Sequence, residues 1–153
     1  DVLLMYAEAM NEVYGPDADP KGYGLTAKTA VQRVRTRAGF TTDKYLDNVT
    51  DISTMREKIK NERRVELVLE NDRYWSLLRW GKEEGLNVIP ELNTPPQAIE
   101  ISEDGKRFEF IDVPVVHSAN NRNFTSRRYL LPIPRSEILT NQSLENDQNE
   151  GWE

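Results

Sequence analysis

The segment from Asn61 to Gly81 reads NERRVELVLENDRYWSLLRWG and decides the fold of the chain. At the period of about 3.6 residues per helical turn, Ile52, Met55 and Ile59 form an apolar stripe that leads into this segment. The same stripe then becomes ionic before Leu77 makes it apolar again. Acids and arginines on the core-facing side of a helix predict a partly buried, mutually paired ion network, whose members would be Glu62, Arg63, Glu66, Glu70 and Arg73.

A second interpretation of this segment stays open on the pattern alone. The same charges could form a solvated face with pairs four residues apart, each contributing only a few tenths of a kcal/mol.

Val65, Val68 and Leu69 form a second apolar face. That face predicts that the helix has neighbours on two sides.

Helical periodicity predicts four α-helices before Gly85. They cover residues 1–14, a segment that begins after the N-cap Thr26 and ends near Gly39, a segment from about 51–53 to 70, and residues 72–84. The fourth helix is expected to turn its apolar side chains inward: Trp75, Leu77 and Leu78. Trp80 is likewise expected to pack in the core.

Regular periodicity fades after Gly85. Alternation at Phe108, Phe110 and Val113 predicts a short strand or a hairpin. Residues 129–134 are expected to be extended because prolines restrict both their own backbone and that of the preceding residue, and Ser136 could cap a short turn. The predicted fold class is therefore mainly α, with tetratricopeptide-like helical pairs in residues 1–84 and an irregular, loop-rich cover in residues 85–153.

Composition excludes several classes of function. The net charge of −6 argues against general nucleic-acid binding, and the absence of cysteine excludes disulfides and thiolate metal sites. No segment is long and apolar enough to span a bilayer. The chain starts at Asp1 in an apolar helical pattern, without an initiating methionine. We therefore expect it to be the C-terminal part of a larger protein and not an independent domain.

No catalytic residue, metal site or cofactor site is predicted. His117 is the only histidine, and nothing around Ser118 or Ser126 resembles a nucleophile elbow. A Ser-His-Asp arrangement assembled from distant positions stays open on the sequence alone. Asp17 and Asp19 have the spacing that opens a calcium loop, but Lys21 occupies a position that requires an oxygen ligand.

Four blocks, in order along the chain, resemble the SusD/RagB family of outer-membrane glycan-binding proteins. The central block, from Glu62 to Trp80, matches the family's ERR-x-EL-x-x-E helix and its Leu-x-Arg-Trp ending. The other blocks are Tyr6-Ala7-Glu8-Ala9-Met10-Asn11, Val34-Arg35-Thr36-Arg37-Ala38-Gly39, and Tyr129-Leu130-Leu131-Pro132-Ile133-Pro134 with Gln148-Asn149. The sequence departs from the family at Asn71-Asp72, where Gly-His is usual, and at Ser76, where Asp is usual.

The resemblance implies non-enzymatic capture of poly- or oligosaccharide at the bacterial cell surface. It implies a lipid-anchored protein of the outer membrane, completed by a remaining N-terminal part, that delivers its glycan to a TonB-dependent, SusC-like transporter. No cofactor is expected. Two alternatives stay open, a helical-repeat scaffold that binds proteins and a glycan-cleaving enzyme.

Aromatic rings in predicted loops are the candidates for contact with sugar, because the C–H faces of sugars stack on such rings. Tyr23, Tyr45 and Phe124 meet this description and have polar neighbours. Each could equally anchor its own loop. The family's shared blocks mark no sugar-contacting residue, so none is carried over from the resemblance.

Overall fold

Helices dominate the computed structural model, which describes residues 1–42, 44–83, 90–94, 97–112 and 123–152. The four long helices are α1 (Val2–Tyr14), α2 (Ala27–Arg37), α3 (Ile52–Glu66) and α4 (Asp72–Glu83). They are followed by α5 (Pro90–Asn93), β1 (Gln97–Ile101), β2 (Phe108–Asp112) and α6 (Arg135–Thr140). The mainly α fold class and the four predicted helices are therefore confirmed.

The chain divides into two compact units, residues 1–73 and residues 74–153. This boundary lies before residue 84, after which the sequence suggests a change from helical to loop-rich structure. In the first unit, α1 packs on both α2 and α3, and α2 also contacts α3. The core between these helices consists of Leu4, Ala7, Ala27, Ala30, Val31, Val34, Leu46, Val49, Met55 and Ile59.

Polar caps define where two of these helices begin. Thr26 and Thr29 form a reciprocal capping box, in which each side-chain oxygen accepts the backbone N–H of the other residue at 3.0 and 2.7 Å. Asp51 caps α3 by accepting the Thr54 backbone N–H at 2.8 Å. That hydrogen bond is the main reason why the pKa of Asp51 is lowered to about 2.

The third helix ends at Glu66, earlier than the predicted Glu70. Leu69 and Asn71 both adopt left-handed backbone conformations, with φ of 70° and 58°, which a continuing α-helix cannot contain. Asparagine tolerates this conformation better than most residues. The prediction of a second buried face was wrong, because Val65, Val68 and Leu69 are all exposed.

In the second unit, α4 buries Leu77, Leu78 and Trp80. Leu77 and Trp80 pack against Leu92 of α5. Trp75 is 61% exposed, so the prediction that it points inward was wrong. Its ring instead makes an edge contact with Tyr74, at 5.4 Å between ring centroids.

Strands β1 and β2 form an antiparallel hairpin, one of the two structures that the alternation around Phe108 and Phe110 allows. Ile99 pairs with Phe110 and Ile101 with Phe108, so these four side chains share one face of the hairpin. All four are more than half exposed. At the turn, Ser102 Oγ accepts the Arg107 N–H at 3.1 Å, and Gly105 supplies a left-handed residue with φ of 67°.

A side-chain amide holds the proline-rich closing segment. Ile133 lies between two prolines, neither of which has an N–H, and Gln148 takes up both of its backbone polar groups. Gln148 Oε1 accepts the Ile133 N–H at 2.8 Å, and Gln148 Nε2 donates to the Ile133 carbonyl at 3.1 Å. The predicted cap at Ser136 was wrong, because α6 already begins at Arg135 after Pro134.

Replacing Leu69 with glycine should raise the stability of the protein. A left-handed conformation costs a non-glycine residue roughly 1–2 kcal/mol, and the side chain is 94% exposed, so its loss removes little packing. After the entropic cost of glycine, the expected gain in unfolding free energy is about 0.5–1 kcal/mol, measured by denaturant titration.

Leu139→Gly is the matched control, because Leu139 is also exposed but lies inside α6. Glycine within a helix should lower the unfolding free energy by up to about 1 kcal/mol. Equal losses in the two variants would contradict the assignment of strain to Leu69.

Candidate functional site

Two adjacent residues of α3 carry buried charges. Glu62 and Arg63 are 4% and 5% exposed. Glu62 Oε2 accepts a hydrogen bond from Arg35 Nη1 of α2 at 2.6 Å. Arg63 donates to Asp1 Oδ1 at 2.8 Å and to Asp72 Oδ1 at 2.7 Å. These pairs connect α3 to α2, to the residue that precedes α1 and to the first residue of α4.

The ion pairs of Glu62 and Glu66 run between helices. Glu66 pairs with Arg37, so two arginines of α2 meet two glutamates of α3. The partners of Glu62, Arg63 and Glu66 thus lie outside the set of five residues proposed from the sequence. Glu70 is exposed and Arg73 is partly buried.

Tyr45 occupies a structural position beside this ion pair. The Arg35 guanidinium lies 4.1 Å from the centroid of the Tyr45 ring, and Lys58 Nζ lies 4.0 Å from it. Asn61 Nδ2 donates to the Tyr45 hydroxyl at 2.9 Å. The ring also packs against the core of the first unit. Through these contacts Tyr45 anchors its loop. It is therefore no longer a candidate for stacking on sugar.

Phe124 also serves as an anchor. It is only 6% exposed, and its ring meets Tyr129 edge-on at 5.0 Å between centroids. Asn93 Oδ1 accepts the Phe124 N–H at 2.6 Å, and Asn93 Nδ2 donates to the Phe124 carbonyl at 3.1 Å. A ring buried in this way offers no face to a sugar, so Phe124 is withdrawn as well.

Tyr23 is the candidate that stands open to solvent. It is 73% exposed on the loop between α1 and α2. The carboxylate of Asp19 holds this loop by accepting the Tyr23 N–H at 3.0 Å and the Gly24 N–H at 2.7 Å.

The glycines on either side of Tyr23 help to display its ring. Gly22 and Gly24 are left-handed, with φ of 68° and 65°, and no other group lies within 4 Å of where their side chains would begin. Farther along, Tyr6 donates its hydroxyl hydrogen to the Leu25 carbonyl at 2.7 Å. The result is an ordered loop that presents an exposed aromatic ring. Such preorganisation reduces the conformational entropy that a loop loses when a ligand binds.

The described residues show neither a metal-binding cluster nor a membrane-spanning helix. Within these ranges, no group of three or more His, Cys, Asp or Glu side chains could hold a metal ion. No helix among them has the length and apolar character needed to cross a bilayer. His117 lies outside the described residues.

Comparison with known proteins gives one positive finding. The sequence model of the SusD family matches residues 1–152 of this chain. Comparisons with curated proteins and with solved structures gave no match. The family match therefore covers nearly the whole chain.

Removal of Glu62 tests the structural role of the buried charges. Glu62→Ala leaves the Arg35 guanidinium without its carboxylate in a largely buried position, and breaking a buried pair costs about 3–5 kcal/mol. We expect a loss of that size in the unfolding free energy. Glu66→Ala should cost less, because its partner Arg37 is 70% exposed.

Glu103→Ala is the matched control, since Glu103 is an exposed residue of the hairpin turn. Its melting temperature should stay within error of the unaltered protein. If Glu62→Ala unfolded at the same temperature as this control, the buried ion pair would have no structural importance.

Proposed function

This chain belongs to the SusD family, and we propose that it serves the capture of poly- or oligosaccharide at the bacterial cell surface. The family match over residues 1–152 is the observation that carries this proposal. Membership supports glycan binding for nutrient uptake in general. The family is also non-catalytic, which favours a binding protein over an enzyme.

The proposed mechanism is non-covalent. A sugar ring would place its C–H face against an exposed aromatic ring while its hydroxyl groups bond to neighbouring polar atoms. Tyr23 supplies such a ring on a loop that Asp19 holds in place. Because that loop is already ordered, little conformational entropy is lost when a ligand binds.

We propose further that the captured glycan passes to a TonB-dependent, SusC-like transporter. A lipid anchor would hold the protein on the outer membrane, and a remaining N-terminal part would complete its binding surface. Support for these steps comes from the family match. Within such a protein, the ion-paired helices described above form part of the structural body.

Binding and cleavage can be separated in one experiment on the intact protein. Neutral hexaoses of glucose, xylose and mannose are titrated by calorimetry, and the mixtures are then analysed for shorter products. We expect binding at roughly micromolar to millimolar Kd with no product. Turnover would favour the enzyme alternative. A parallel titration with peptides that gave binding where the hexaoses gave none would favour the scaffold.

Tyr23→Ala should weaken binding of the preferred hexaose about fivefold, because stacking contributes on the order of 1 kcal/mol per ring beyond burial. Tyr23→Phe keeps the ring and should bind nearly as well as the unaltered protein. The melting temperature should be unchanged in both variants, since the side chain is exposed.

Two other tyrosines provide contrasts for this prediction. Tyr74→Ala removes an exposed ring from α4 and should leave affinity unaltered, whereas Tyr45→Ala should lower stability. If affinity were the same in Tyr23→Ala and Tyr74→Ala, Tyr23 would have no part in binding.

A further inference from the structure

A shallow cleft lies where α1 ends and α3 begins. Its volume is about 650 Å³, and its walls are formed by residues 14–18 and 50–53. This volume falls within the range of roughly 300–1,000 Å³ that is usual for small-molecule sites. No sequence motif marks the cleft, since its aromatic residue, Tyr14, is the last residue of a helix.

The two walls of the cleft are held together by fixed contacts. Asn11 of α1 is fully buried, and its Nδ2 donates to the Ile52 carbonyl at the start of α3 at 2.9 Å. Gly15 ends α1 with a left-handed φ of 87°, and its N–H donates to the Asn11 carbonyl at 3.0 Å. A side chain at Gly15 would begin 3.9 Å from the side chain of Ile52. The cleft is therefore formed before any ligand enters.

The lining combines an aromatic ring with carboxylates of fixed orientation. Tyr14 is 53% exposed. Asp17 Oδ1 pairs with Lys28 Nζ at 2.7 Å, while most of the Asp17 side chain stays exposed. Asp51 Oδ1 accepts the Thr54 N–H at 2.8 Å and the Ser53 hydroxyl hydrogen at 2.7 Å. An aromatic face next to exposed acceptor oxygens suits a ligand with C–H faces and hydroxyl donors.

The charge of the lining restricts the ligand further. The two side chains of the walls that carry a charge at neutral pH, Asp17 and Asp51, are both acids. The nearby cation, Lys28, is already paired with Asp17. A sulfated or carboxylated sugar would bring a third negative charge to this cleft, and like charges at short range cost affinity. A neutral sugar meets no such repulsion.

We propose that this cleft binds one ring of a neutral glycan, with Tyr14 stacked on its C–H face and the carboxylates of Asp17 and Asp51 accepting its hydroxyl groups. This inference rests on the proposed function, because it takes the ligand to be a glycan. It adds a second binding site, separate from Tyr23, and it restricts the ligand to uncharged sugars.

The first test uses the neutral hexaose that the intact protein binds best among those of glucose, xylose and mannose. Tyr14→Ala should weaken its binding about fivefold in calorimetry, and Tyr14→Phe should not. Tyr74→Ala is the matched control, and both alanine variants should melt at the temperature of the unaltered protein. Binding of the hexaose without any loss in Tyr14→Ala would overturn the cleft assignment and leave the proposed function standing.

A second test addresses charge. The sulfated derivative of the same hexaose should bind the unaltered protein at least tenfold more weakly than the neutral form. In the double variant Asp17→Asn with Asp51→Asn, this discrimination should shrink several-fold, and asparagine should still cap α3.

Equal binding of the neutral and sulfated forms by the unaltered protein would overturn the restriction to neutral sugars. If no hexaose bound at all, the result would count against the proposed function itself, and the cleft assignment would fall with it.

Discussion

Glu62 and Arg63 place opposite charges side by side on the buried side of α3. Moving a charge out of water costs several kcal/mol, and only a well-placed partner offsets that cost. The partners come from different parts of the chain: Arg35 from α2, Asp1 at the start of α1, and Asp72 at the start of α4. Burial of Glu62 and Arg63 therefore depends on the positions of these three partner side chains.

The same arrangement links the blocks that carry the family resemblance. Arg35 and Arg37 of one block pair with Glu62 and Glu66 of another. In the second unit, the Gln148 side chain forms hydrogen bonds with both the N–H and the carbonyl of Ile133. The two parts of the closing block are therefore also linked. The shared blocks thus form the structural frame of each unit.

The surfaces proposed here to bind glycan lie between those blocks. Tyr14 and the exposed ring of Tyr23 belong to the end of α1 and to the loop that follows it. Asn11 links the end of α1 to α3 through the Ile52 carbonyl, and Asp19 holds the Tyr23 loop from within that loop. A rigid body with ligand-facing loops is a common way to separate stability from specificity.

Much of the helical fold could be predicted from the sequence, because the caps at Thr26 and Asp51 and the stripe at Met55 and Ile59 are local signals. The end of α3 could not, since nothing local shows that Leu69 takes a left-handed conformation.

The candidate site was less predictable than the fold. Burial of charge on α3 was one of two interpretations that the pattern allowed, and the identity of each partner depends on how separate helices pack. Exposure of Trp75, burial of Phe124 and the cleft at Tyr14 depend on that packing in the same way. Of the three loop aromatics, Tyr23 alone keeps an exposed ring because Tyr45 and Phe124 pack as anchors.

The most direct test of the central claim is a double-mutant cycle for Arg35 and Glu62, using Arg35→Met and Glu62→Gln separately and together. The coupling energy comes from the unfolding free energies of the four proteins. We predict about 2–3 kcal/mol, near the upper end for interacting residues. The same cycle on the more exposed pair of Arg56 and Glu12 should give less than about 1 kcal/mol. A coupling for Arg35 and Glu62 no larger than that of the exposed pair would contradict the claim that burial of Glu62 depends on its ion pair with Arg35.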